Sequence, residues 1–267
     1  MKKIFLKTLV ILTLVAFCLT LSACARDENT LVMATNVAFP PYEFYDNNRK
    51  IVGIDAEIAA EIAKKLGMKL KIMDVDFDSI VSGVAGGKYD IGMAGMTVTE
   101  DRKKGVNFSD TYATGIQSVI VRENCEYESF EEFYEKFDDE GNPISVKSGI
   151  KIGVQMGTTG DMYAVDEPQN WGFGRDNVSQ LQTGADAVQS LISNKVTAVI
   201  IDNEPAKAYV AANSGIKILD GAYVEEDYAI CLSKKNTVLL ERINVALKEL
   251  KEDGTIKRII DKYISAD

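Results

Sequence analysis

Histidine is missing from all 267 residues of the chain. Its absence removes the side chain most often used as a general base, the commonest nitrogen ligand of a metal ion, and any Ser-His nucleophile pair. Cysteine is nearly as scarce, at Cys18, Cys24, Cys125 and Cys231. The two beyond Cys24 are too few to hold a metal. They could pair in an oxidising compartment, but sequence does not put them within bridging distance, so a disulfide and two buried free thiols both stay open. Positive charge is in deficit too: 30 lysines and arginines stand against 40 acids, a formal charge of −10. Nucleic-acid binding needs clustered positive charge, so no nucleic-acid partner is expected. Past residue 30 there is no low-complexity linker and no apolar run long enough to cross a bilayer.

What is present begins at the N-terminus. Lys2, Lys3 and Lys7 flank the start of an apolar run from Thr8 to Leu21, closed by Leu21-Ser22-Ala23-Cys24. A charged start, an apolar core and small residues before a cut site make a secretory signal over residues 1–23. A membrane-spanning anchor is the other reading, and it would need about 20 apolar residues without a processing site. Leu-Ser-Ala-Cys resembles the bacterial lipobox, which implies lipoprotein processing with Cys24 as the acylated first mature residue and residues 24–30 as a lipidated tether. The partner of that end is then the lipid bilayer, and the location is extracytoplasmic, lipid-anchored to the cell membrane. One acyl chain binds only marginally, so two or more are expected. Loss of the three signal lysines would move the formal charge from −10 to −13.

Strand and helix patterns alternate along the remainder, which predicts an α/β fold. The length suits one large domain or two of about 110–130 residues. Leu31 to Thr35 reads as a strand broken by Phe39-Pro40-Pro41-Tyr42. Asp55 is placed to cap a helix with Ile58, Ile62 and Leu66 on one face and Gly67 at its end, before a strand over 70–75. Two later stretches share one plan. Residues 77–87 read as a helix with Ile80, Val81 and Val84 inward, then a turn and a strand over 91–94. Residues 184–194 read as a helix with Val188, Leu191 and Ile192 inward, then a turn and a strand over 198–201. Ligands of open α/β sheets bind at the carboxyl ends of strands. The two equivalent ends, at Gly95-Met96-Thr97 and Asp202-Asn203-Glu204, therefore point to two similar lobes facing one cleft. Val119-Ile120-Val121 and Ala229-Ile230-Cys231-Leu232 are apolar runs suited to carry the chain between lobes. Residues 129–137 read as a surface helix, followed by a loop over 138–148, with the local acids a solvated face. Asn236 is placed to cap a long helix through Asp253, with Leu239, Ile243, Ala246, Leu247 and Leu250 buried and Gly254 at its end.

Four motifs carry a resemblance. Thr35-Asn36-Val37-Ala38-Phe39-Pro40-Pro41-Tyr42-Glu43-Phe44 is followed by Val52-Gly53-Ile54-Asp55. Ala94-Gly95-Met96-Thr97-Val98-Thr99-Glu100-Asp101-Arg102-Lys103 precedes Phe108-Ser109-Asp110. Ile152-Gly153-Val154-Gln155-Met156-Gly157-Thr158-Thr159-Gly160 and Ile201-Asp202-Asn203 complete the set. In this order they resemble the family 3 solute-binding proteins, polar amino-acid receptors of ATP-driven importers, glutamine- and arginine-binding members most closely. The resemblance implies a type II periplasmic-binding-protein fold of two α/β lobes, joined by two hinge strands around a ligand cleft. Lobe 1 would comprise residues 31–112 and 228–267, and lobe 2 residues 113–227.

Ligand chemistry accounts for the residue types. A free amino acid brings a carboxylate and an ammonium into a cleft that excludes water, and each charge must be paired there. Arg102 offers a planar fork for a carboxylate, a role the resemblance also implies; alone it would read as a surface arginine. Asp202 would accept from the ammonium, although a strand-end aspartate is often only a helix cap. Gly95 would offer its carbonyl to the same ammonium, and Thr97 its hydroxyl to the carboxylate. Thr159 would make the second lobe's contact to the carboxylate, with Thr158 beside it. A nucleotide phosphate site at Gly157 to Gly160 lacks the spacing of a P-loop. Phe39 and Phe77 align with family aromatics that sandwich the ligand side chain, where without the motif they would read as core. Cation binders often carry an acid where this chain has Asn36, and glutamine binders a lysine where it has Gln155. Both departures leave a neutral polar pocket, although arginine-type members can also carry that glutamine.

The expectation is a substrate-binding component of an amino-acid ABC importer, a monomer that captures a free polar amino acid. It would deliver the ligand to the permease transmembrane subunits, whose ATPase drives release. No catalytic residue, cofactor or metal is expected. The rivals are a receptor subunit that reports the ligand to a sensor, and a dehydratase-type enzyme on the same fold.

Overall fold

The structure is a computed structural model describing residues 29–264; the expected signal, Cys24 and nearly all of the tether lie outside the described residues. From the N-terminus come β1 (Thr30–Thr35), the short hairpin β2 (Phe44–Tyr45) and β3 (Ile51–Val52), α1 (Ile54–Leu66), β4 (Lys69–Asp74), α2 (Phe77–Ala85), β5 (Ile91–Gly92), α3 (Glu100–Gly105) and β6 (Val106–Phe108). The middle of the chain supplies β7 (Ala113–Arg122), β8 (Tyr134–Phe137), β9 (Pro143–Val146), β10 (Ile152–Gln155), α4 (Thr159–Ala164), β11 (Val178–Leu181), α5 (Gly184–Ile192), β12 (Ala198–Asp202), α6 (Asn203–Ala212), β13 (Ile216–Ile218) and β14 (Val224–Tyr228). The chain ends with β15 (Cys231–Ser233), α7 (Thr237–Glu252) and α8 (Thr255–Tyr263).

These strands make two main sheets. The first has the order β4-β1-β5-β15-β6; the second has the order β11-β10-β12-β7-β13, with β14 also on β7. Their interiors follow one plan. β5 lies parallel to β1 and antiparallel to β15, just as β12 lies parallel to β10 and antiparallel to β7. Successive strand side chains point to opposite faces, and the cores show it. Leu31 and Met33 of β1 join a cluster with Ile58, Ile62, Leu247 and Leu250, whereas Ala34 joins Ile80 and Val84 on the other face. In the second sheet Ala198 and Ile200 face Ile152 and Phe173, while Val199 and Ile201 face Val188 and Leu191. Each such aliphatic side chain contributes about 1.5–3 kcal/mol on burial. Beside the second sheet lies a nest of rings in which Trp171 meets Phe130, Tyr134 and Phe137 edge-on or tilted. The Trp171 carbonyl accepts from the hydroxyls of Tyr134 and Tyr223, both at 2.6 Å.

Several local expectations are corrected. Asp55 does not cap α1: Gly53 holds that position without a side-chain bond, and Asp55 is buried inside the first turn. Residues 129–137 are not a helix but a single 3-10 turn (Phe130–Phe133) running into β8. The loop expected after it contains β9, which pairs with β8. Aromatics outvoted the helical charge pattern there, because Phe133 and Tyr134 are buried among the rings. Ile192 is exposed rather than inward. Val119 to Val121 sit inside the second sheet, in mid-β7, rather than at a crossing. The chain passes between sheets before Ala113 and again between Tyr228 and Cys231. Cys231 is buried, Cys125 half-buried, and both are free thiols.

Candidate ligand-binding cleft

All nine residues assigned to the ligand line one cavity. They reach it from both sheets. Asn36 and Phe39 follow β1, Phe77 opens α2, and Gly95, Thr97 and Arg102 come from the segment between β5 and α3. Gln155 ends β10, Thr159 starts α4, and Asp202 ends β12.

Arg102 is buried, and burial alone pulls its pKa down, opposed by the nearby charge of Glu226. Thr99, the N-cap of α3, accepts from the Arg102 N–H and so fixes the helical turn that carries the guanidinium. Its Nη1 donates to the Thr97 carbonyl at 2.7 Å and its Nη2 to the Gly157 carbonyl at 3.0 Å. The guanidinium carbon also lies 5.4 Å from the centre of the Phe77 ring, an attractive cation–π distance. Five donors in a fixed fork leave N–H groups over after these two bonds.

Asp202 caps a helix and also holds a tyrosine hydroxyl. Its Oδ1 caps α6 by accepting from the Glu204 N–H at 3.3 Å. Its Oδ2 accepts a short hydrogen bond from the Tyr228 hydroxyl. Burial pushes the carboxyl up to about 7, with the Tyr228 bond pulling the other way. Gly115 makes the pair possible: a Cβ there would sit 2.5 Å from Asp202 Oδ2 and on top of the Tyr228 hydroxyl.

Gly95, at φ +52, donates its N–H to Asp55 Oδ2 at 2.9 Å. Asp55 is raised to about 6 by burial, which the Gly95 bond counteracts. Its neighbour Glu43 is pushed well above the carboxylate range, first by burial and then by the Asp55 charge. Two fully buried acids side by side therefore favour the state with Glu43 neutral. At the far end of the cavity Gln155 Nε2 donates to Asn36 Oδ1 at 2.9 Å, and Asn36 Nδ2 to the Val75 carbonyl at 2.9 Å. The acids lining the cavity are Glu43 and Asp202. Phe39 stacks on Tyr42 at 5.8 Å.

Contacts cross the cleft at several points. Besides Gln155 to Asn36 and Arg102 to Gly157, the Tyr209 hydroxyl donates to the Ala38 carbonyl at 3.0 Å. Gly157, at φ +77, packs against Asp78 so closely that a Cβ would lie 2.9 Å from the Asp78 Cβ. Sequence reasoning gave no role to Glu43, Gln117 and Tyr228, which line the cavity, or to the buried Glu226, which accepts from both Thr97 and Thr159. The signal for two of them was the alternation of β14, where Glu226 and Tyr228 share the buried face.

Two similarly wound α/β sheets, two crossings between them and a shared polar cavity define the type II periplasmic-binding-protein class. Structural comparison agrees. An ancestral arginine-binding protein bound to glutamine is 38% identical with a TM-score of 0.78, covering 90% of this chain and 100% of that one. An ancestral arginine-binding protein bound to arginine gives the same values. The ancestral amino acid-binding protein AncCDT-1, a precursor of cyclohexadienyl dehydratase, is 30% identical with a TM-score of 0.75, covering 88% and 95%. The profile of the bacterial extracellular solute-binding proteins, family 3, matches residues 31–266, and the chain belongs to that family. It is similar to the arginine-binding extracellular protein ArtP of Bacillus subtilis (strain 168), 27% identical over 96% of this chain and 98% of ArtP.

Proposed function

We propose that this chain is the substrate-binding component of an amino-acid ABC importer, capturing a free polar amino acid between its lobes and handing it to the permease and its ATPase. The observation that carries the reading is one buried cavity lined by Arg102 from one sheet and Asp202 from the other. Arg102, with Thr97 and Thr159, takes the ligand carboxylate. Asp202 and the Gly95 carbonyl take the ammonium. Phe39 and Phe77 flank the side chain, and Asn36 and Gln155 meet its tip. Their uncharged amides favour a neutral polar side chain, because neither can neutralise a cationic head group.

Lobe 1 is assigned residues 31–112 and 228–267, and lobe 2 residues 113–227. Neither half pairs both ligand charges, so ligand favours the closed arrangement by differential affinity. The acylated Cys24 holds the assembly at the membrane. The named relatives support a binding role over an enzymatic one, since even the dehydratase precursor is named as an amino acid-binding protein. Calorimetric titration of ligand-stripped protein with the twenty amino acids tests the reading. Saturable binding of at least one is expected, and no heat from any of them in folded protein would falsify it.

A further inference from the structure

Glu226 lies on β14 opposite Gly115 of β7 and is buried. Its Oε2 accepts from the Thr97 hydroxyl at 2.8 Å, the Thr159 hydroxyl at 2.9 Å and the Gln117 amide at 3.1 Å. The two hydroxyl oxygens are 3.5 Å apart, although Thr97 follows a strand of the first sheet and Thr159 opens a helix on the second. One oxygen therefore gathers, from both sides of the cleft, the two hydroxyl donors that a ligand carboxylate would use. A threonine hydroxyl has a single proton. While that proton points at Glu226, the hydroxyl shows any incoming carboxylate only lone pairs. Thr97 is also bridged to β14 through its pairing with Tyr228, and the Val98 N–H donates to the Asp227 carbonyl. Rotating the lobes apart would carry Thr159 away from Thr97, and Glu226 could not keep both.

We propose that Glu226 is a positioning residue that ties the two lobes together through Thr97 and Thr159, and competes with the ligand carboxylate for their hydroxyl protons. The competition rests on the amino-acid-binding reading; the tie does not. Because the tie is made within the protein, part of the closing free energy is independent of ligand, and ligand gains only the difference between two sets of charge-assisted bonds. Gln117 stays with Glu226 after such an exchange and keeps the displaced carboxylate from losing every donor.

Glu226→Leu and Glu226→Ala, which both remove the acceptor, test this. Ligand-stripped wild type and both variants are compared by small-angle X-ray scattering, and each is titrated with the amino acid of the twenty that wild type binds. The expected result is a larger radius of gyration in both ligand-stripped variants, an unchanged radius once saturated, and affinity tightened by up to about tenfold as the competing state is removed. An unchanged ligand-stripped radius, or weaker binding in both variants, overturns the proposal. Thermal melting reports whether the alanine variant folds; if it does not, E226L, which keeps the bulk without an acceptor, decides. If neither folds, wild type decides alone, since a ligand-stripped radius well above the saturated one contradicts a pre-formed tie. Wild type that binds none of the twenty removes the importer reading, while the scattering comparison still judges the tie.

Discussion

In the first lobe β5 is only two residues long and gives way to an irregular stretch from Gly95 to Thr97, whereas in the second lobe β12 runs five residues straight to Asp202. The first lobe thus meets the cavity with a glycine backbone and an arginine whose fork already holds two carbonyls. The second meets it with a carboxylate held by a tyrosine and a helix start. The same sheet plan has been finished in opposite signs. On the proposed reading a zwitterion satisfies both finishes together and neither alone, so the division of charge between the two sides of the cavity would drive closure on the ligand.

Breaking the division outright should have the largest effect. Arg102→Ala and Asp202→Asn should each weaken amino-acid binding at least about a hundredfold, since removing one partner of a buried ion pair costs about 3–5 kcal/mol. Asparagine still caps α6, so D202N should stay folded while titration calorimetry shows the loss. Acid sharpens the same contrast. Asp202 titrates near 7, and only its ionised form pairs an ammonium. Affinity should therefore hold above pH 7 and fall as pH drops through it, by about tenfold per unit. Titrations from pH 5 to 8 would show this slope in wild type and lose it in D202N. With its folded value raised, Asp202 also lowers the stability of ligand-stripped protein as pH rises from 4 to 7.

Closure itself is probed by Gly157→Ala. The added Cβ meets Asp78 across the cleft, and the positive φ adds strain of about 1–2 kcal/mol. Binding should weaken by about tenfold, with a small fall in melting temperature. The smallest effect belongs to Glu43→Gln. The folded state keeps Glu43 protonated, so near pH 4, where the unfolded chain protonates it too, the amide should change stability by less than about 0.5 kcal/mol. As pH rises past about 4.5 the unfolded wild type releases this proton while the folded state keeps it, so the wild type loses stability and chemical denaturation should find the variant the more stable.

The candidate site was more legible than some of the elements around it. Arg102, Gly95 and Asp202 sit in motifs that resemble the family's, and that resemblance brought them to one cavity, since alone Arg102 reads as a surface arginine and Asp202 as a helix cap. Asp55 was misplaced because an aspartate near a helix start ordinarily binds its own helix. Here its carboxylate reaches 40 positions along the chain to the Gly95 N–H, a partner that only tertiary structure reveals. Residues 129–137 carried helical charge spacing, but the rings of Phe133 and Tyr134 gain more by joining Phe173 than a helix would gain from propensity. Glu226 was hidden by its neighbours Glu225 and Asp227, since an acidic triplet reads as surface until the strand alternation is known.

The one tryptophan of the chain belongs to the ring nest of the second lobe and does not line the cavity. Its emission is accordingly a private signal of that half. A melt followed at once by indole fluorescence and by far-ultraviolet circular dichroism would show whether the halves let go together, and calorimetry rather than fluorescence quenching is the method suited to count bound ligand.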